Sequence, residues 1–144
     1  PEKLVAALPE PVDTYIHSAG YFTVEGKLEK LNREEEIKMY EVCAIAPVFT
    51  AAALLEAKKL KKGTKVAVIT SEGGSIGLRS LKEGGGNYGH HGSKAASNMS
   101  ARLMAWDMHS HGIPVVAIHP GFLRTDMTAD KYSQYWDEMG AISA

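Results

Sequence analysis

Three apolar runs narrow the choice of folds for this chain more than any other feature. Lys65-Val-Ala-Val-Ile-Thr-Ser71 is the clearest. Its unbroken apolar centre reads as a strand buried on both faces, as in a parallel sheet covered by helices. Pro114-Val-Val-Ala-Ile-His119 repeats the pattern as a third buried strand, and the shorter, β-branched and aromatic Val12-Asp-Thr-Tyr-Ile16 precedes both.

Helical stretches separate these runs. Lys3-Leu-Val-Ala-Ala-Leu8 reads as a helix tail stopped by Pro9 and Pro11. Asn32 is placed to cap a helix, with Glu34, Glu35 and Glu36 at its positive end. Pro47 should kink or restart that helix, and the alanine-rich continuation should run to Leu60 and close at Gly63. The run Lys58-Lys59-Leu60-Lys61-Lys62 then reads as a solvated helix end. From Ser93 to His109 a further helix is expected to pack Ala96, Met99, Leu103 and Trp106 into the core and to stop at Gly112.

Strand, helix, strand, helix, strand with short turns implies an α/β fold: a Rossmann-like parallel sheet of about three strands with flanking helices. Ligands of such sheets collect at the carboxyl ends of the strands, here His17–Gly20, Ser71–Gly74 and His119–Arg124. The stretch Tyr88-Gly-His-His-Gly-Ser-Lys94 opens a helix beside those loops, and four-residue spacing puts His90 and Lys94 on one face. Glycines 84, 85, 86, 89 and 92 suggest a mobile loop running into that helix, and 72–86 is long enough to be functional.

Charge excludes some roles. A formal net charge of -1 over 144 residues gives no basis for a nucleic-acid groove. The apolar stretch Val42–Leu55 is too short for a membrane span and is interrupted by Pro47, and no secretion signal is visible. One cysteine, Cys43, excludes an internal disulfide and suits the cytosol or an organelle stroma or matrix. His17, His90, His91 and His119 could converge, but no metal-ligand spacing links them and no metal is expected.

Four motifs in order, His17-Ser-Ala-Gly20, Thr70-Ser71, Tyr88-Gly-His-His-Gly-Ser-Lys94 and Pro120-Gly-Phe-Leu-Arg-Thr-Asp-Met127, resemble the short-chain dehydrogenase/reductase family. The likeness is to its carbonyl-reductase-like branch, related to sniffer and the bacterial C-factor. It implies hydride transfer between NAD(P) and a carbonyl or alcohol. By that resemblance Ser71 holds the substrate oxygen, and Lys94 grips the nicotinamide ribose. Ala19, Gly20, Pro120, Gly121 and Thr125 fall at cofactor-binding positions. His90 stands where the family has its catalytic tyrosine and Cys43 where it has an asparagine, so weak or lost catalysis is expected. The alternative is a non-catalytic scaffold or interaction subunit of a larger complex, with homo-oligomerisation as in the enzymes arguing against it. The resemblance also implies that residues 1–144 form one partial domain, without the family's glycine-rich first unit and last strand.

Overall fold

The computed structural model describes residues 1–23, 28–80 and 84–143. The middle of the polar connection 21–29, part of the loop 72–86 and Ala144 therefore lie outside the described residues. The element order is α1 (Glu2–Ala7), β1 (Val12–His17), α2 (Arg33–Tyr40), α3 (Ala46–Glu56), β2 (Leu60–Ile69), α4 (Tyr88–His109), β3 (Val115–Ile118), β4 (Leu123–Arg124), α5 (Asp126–Tyr132) and β5 (Ile142–Ser143). β1, β2 and β3 form one parallel sheet in that order, and β4 pairs with β5 in a second, two-stranded parallel sheet.

Register explains where the strands deliver their ends. His17 lies opposite Val68, and Ile69 lies opposite Ile118. The chain therefore leaves β1, β2 and β3 at one level, and the three loops that follow meet there.

The core sits on one face of this sheet. Val66 and Val68 of β2 pack with Ala51 and Leu54 of α3 and with Ala101, Met104 and Met108 of α4. The opposite face carries the register row Ile16, Ala67 and Val116, and there Ile16 is 57% exposed and Val116 51% exposed. β3 is thus not the buried strand its composition suggests: it is a sheet edge, and α3 and α4 cover one face only.

Two further expectations change. The helix after Pro47 ends at Glu56, not near Gly63, because Lys58 adopts a left-handed conformation (φ 56°) that turns the lysine run into β2. Gly63 (φ 90°) instead lies in a bulge, where the register jumps from Val12↔Leu60 to Thr14↔Lys65. The buried Thr64 hydroxyl fastens that bulge by donating to Val12 O at 2.7 Å and accepting from Lys61 N at 3.0 Å. On α4, Met99 (62%) and Trp106 (61%) point outward, while Ser97, Ala101, Met104 and Met108 face the core. Met99, Leu103 and Trp106, three of the four residues expected in the core, thus lie on the outer face.

Asn32 caps α2 as expected, its Oδ1 accepting from Glu34 N at 2.9 Å. α2 and α3 are joined by a π-helical turn, Glu41–Ile45, just before Pro47. Arg33–Glu56 as a whole is long and apolar enough by composition to cross a bilayer. In this fold it buries Met39, Cys43, Ala44, Pro47, Ala51 and Leu54.

Candidate functional site

The loops beyond the strand ends, the π turn and the first turns of α4 enclose a cavity of about 570 Å³. Ser71, His90, Lys94 and Cys43 all line it, as do Gly20, Pro120, Gly121 and Thr125. Ala19 does not: it is exposed, and Ser18 and Gly20 flank the cavity in its place. The sequence reading did not single out Tyr21, Phe22, Tyr132 and Met139 as cavity residues, whereas Phe122 and Arg79 lie in the strand-end segment 119–124 and the loop 72–86 that it named. The only signal of those first four was position, within a few residues of a strand end or in an aromatic tail without clear periodicity.

Helix crossing sets the geometry. Gly89 and Gly92 lie inside α4, not in a mobile loop, and they let α2 approach. A Cβ on Gly89 would stand 2.3 Å from Met39 Cε, and one on Gly92 2.1 Å from the Tyr40 hydroxyl. Both contacts are too short to exist, so a side chain at either position would first displace the Met39 methyl or the Tyr40 hydroxyl, the flexible ends that α2 lays against the first turns of α4.

Lys94 is 7% exposed, and its Nζ donates to Ile69 O at 3.0 Å. An ammonium has three donors, so among the described residues two remain for a ligand. Burial lowers the Lys94 pKa, and Cys43 acts in the opposite direction. Cys43 is 2% exposed, and its Sγ donates to Tyr21 O at 3.5 Å. His17, behind the cavity, lies 3.0 Å from the Tyr15 hydroxyl at Nδ1 and 3.4 Å from Val42 O at Nε2. Since a carbonyl only accepts, Nε2 carries the proton and Nδ1 accepts from Tyr15. Burial lowers the His17 pKa, the Val42 bond opposes that, and the Lys94 charge adds to it.

Ser71 works locally as well. Its Oγ accepts from Gly73 N at 3.0 Å and caps the turn Glu72–Gly74, which leaves the hydroxyl proton to donate elsewhere. Thr125 caps α5 in a reciprocal box with Thr128. Tyr88 is exposed and does not line the cavity.

His90 decides what chemistry the cavity can do. Burial, followed by the positive charges of His91, Lys94 and Arg79, pulls its pKa down to about 4. Its Nδ1 is buried without a hydrogen-bond partner among the described residues, and Phe22 packs edge-on to the ring at 5.0 Å. At neutral pH it is an uncharged imidazole.

The short chain dehydrogenase family model matches residues 2–136. The chain belongs to that family. It is 32% identical over 117 residues to the C-signal of Myxococcus xanthus, covering 81% of this chain and 69% of that protein. Among solved structures it superposes on NADPH-bound carbonyl reductase from chicken fatty liver with a TM-score of 0.72 and 28% identity, covering 83% of this chain and 50% of that one. The carbonyl reductase Sniffer of D. melanogaster shares the fold with a TM-score of 0.76 at 22% identity, over 88% of this chain and 56% of that one. The chain thus spans about half the length of the solved reductases it matches.

Whether NAD(P) fits can be asked of the side chains. Two free donors on a buried ammonium, a serine proton and the Pro120-Gly121 turn around one cavity suit the nicotinamide riboside end. Among the described residues no strand passes through a glycine-rich turn directly into an α-helix, the element that holds a pyrophosphate. The described residues fit one end of the dinucleotide.

Proposed function

We propose that this chain carries the carbonyl- and nicotinamide-binding half of a short-chain dehydrogenase/reductase in which proton transfer is weak or lost. In this reading Lys94 holds a ribose hydroxyl, Thr125 and Pro120-Gly121 border the nicotinamide, and Ser71 donates to the carbonyl oxygen. The nicotinamide, when bound, supplies or takes the hydride. Reduction also needs a proton at the oxygen, and His90 is the side chain at the family's donor position.

The observation that carries the reading is that Ser71, His90, Lys94, Pro120, Gly121 and Thr125 line one cavity, in which burial and positive neighbours pull the His90 pKa down to about 4. At pH 7 only about one such imidazole in a thousand is charged, and the neutral ring is a poor acid. Cys43 lacks the amide's paired donor and acceptor, which removes the family's relay to the lysine. In this reading the family's first-strand unit and last strand are supplied by a longer polypeptide, and the protein works in a compartment that keeps Cys43 reduced, the cytosol or an organelle stroma or matrix.

The test is carbonyl reduction by the full encoded protein with NADPH, before and after His90→Tyr. Slow turnover that rises at least tenfold in the variant is expected, a change of about 1.4 kcal/mol in the barrier. Wild-type turnover at ordinary reductase rates, or no NADPH binding by calorimetry in either protein, overturns the reading.

A second reading, a non-catalytic subunit of a larger complex, draws support from exposed Phe49, Met99 and Trp106 on α3 and α4. Stable, stoichiometric co-purification with other subunits favours it. An isolated monomer or a homotetramer counts against it.

A further inference from the structure

The end of β2 and the residues after it are fastened to one turn of α4. Ile69 O accepts from Lys94 Nζ at 3.0 Å. The buried Thr70 hydroxyl donates to Asn98 Oδ1 at 2.7 Å and lies 3.4 Å from Lys94 O. Asn98 Nδ2 donates to Ser71 O at 3.4 Å, and Gly74 N donates to the same oxygen at 3.1 Å, so both of its lone pairs are used. Because a carbonyl only accepts, Ser71 O fixes which way the amide points. Asn98 thus holds Thr70 with its oxygen and Ser71 with its nitrogen.

The turn after Ser71 leaves this attachment no slack. A Cβ on Gly74 would stand 2.5 Å from Ala95 N and closer still to Lys94 C, so backbone lies on backbone there. Lys94 and Asn98 are four residues apart on α4, which stacks them on one face. The helix turn that carries the buried ammonium therefore also holds the segment that carries the Ser71 hydroxyl.

We infer that Asn98 is a positioning residue for the carbonyl reaction: with Thr70, its amide holds the Ser71 hydroxyl at a set place relative to Lys94. The inference rests on the carbonyl- and nicotinamide-binding reading above and deepens it. Asn98 does not line the cavity, so it acts through Ser71 and not on a ligand. Lys94 keeps its own bond to Ile69 O whatever stands at position 98. Loss of the amide should therefore loosen the serine and spare the ammonium, so that its effect falls on the carbonyl compound and not on the nucleotide.

The experiment measures benzaldehyde reduction and NADPH affinity in the full encoded protein, as wild type and with His90→Tyr. In each background Asn98→Leu, which is branched alike and makes neither bond, should lower kcat/KM for benzaldehyde about tenfold while the NADPH Kd from calorimetry stays within about twofold. Asn98→Asp keeps an acceptor for Thr70 but turns a second oxygen toward Ser71 O, and should lose about as much. Thr70→Val should cost about threefold, and Thr70→Ser, which keeps the hydroxyl, should retain the starting value. Folding is checked by circular dichroism, and the Thr70 pair decides the outcome if neither Asn98 variant folds. Variants that reduce benzaldehyde as their parents do, or that lose benzaldehyde turnover and NADPH affinity in equal proportion, overturn the inference and leave the carbonyl reading intact. If neither background reduces benzaldehyde, both fall.

Discussion

The two faces of the three-stranded sheet are built from similar residues and meet opposite fates. Val66, Val68 and Val115 lie against α3 and α4, whereas Ile16, Val116 and Ile118 on the other face remain largely open. Similar β-branched side chains therefore stand in a packed interior and on a bare surface. Strand composition records what a position needs, not which element supplies it. The same lesson holds on α4, where the inner stripe is small and polar near the cavity and the outer stripe holds Met99, Leu103 and Trp106.

The contrast can be broken most decisively in the packed layer. Leu54→Ala, at a position 1% exposed, should cost about 2–5 kcal/mol in chemical denaturation, through lost transfer energy and the cavity left behind. A cost under about 1 kcal/mol would mean that the α3 side is no better packed than the bare face.

Next in size comes the cavity end. His90 has a folded pKa of about 4 against 6.5 in the unfolded chain, so between those values the unfolded state binds more protons. Stability contributed by keeping His90 neutral is constant above pH 6.5 and falls as pH drops toward 4, by up to about 3 kcal/mol. His90→Gln should flatten that slope in denaturation midpoints measured across pH 4–7. An unchanged slope would show that His90 is well solvated.

The smallest effect belongs to the open face. Ile16→Thr keeps a β-branched side chain in β1 and should change stability by no more than about 0.5 kcal/mol. A loss of several kcal/mol in the full encoded protein would instead show that another element covers this face there.

Much of the fold was legible because it rests on local pattern. The β2 run, the Asn32 cap and the Gly112 stop each depend on residues within one or two turns. Helix spacing and strand-end topology already set His90 and Lys94 beside the Ser71 loop, whereas the place of Cys43 was legible only through a family likeness, since a lone cysteine in a helix carries no local signal. What escaped was decided by tertiary partners. The bulge at Gly63 exists because Thr64 reaches Val12 across β1, and Gly89 and Gly92 serve the crossing of α2 rather than loop motion. Phe22 stacks on Tyr132 across a distance in sequence that periodicity does not span.

The π turn at Glu41–Ile45 makes the chain's length at that point a functional quantity. Deleting one residue there would restore ordinary helical winding, and each residue of an α-helix advances the phase by about 100°. A π turn takes up its extra residue within one turn, so Met39 and Tyr40 would keep their places on Gly89 and Gly92, while the residues of the turn itself, Cys43 among them, would shift phase against the cavity wall. A one-residue gap here would thus rewrite one wall of the site and spare the helix crossing beside it.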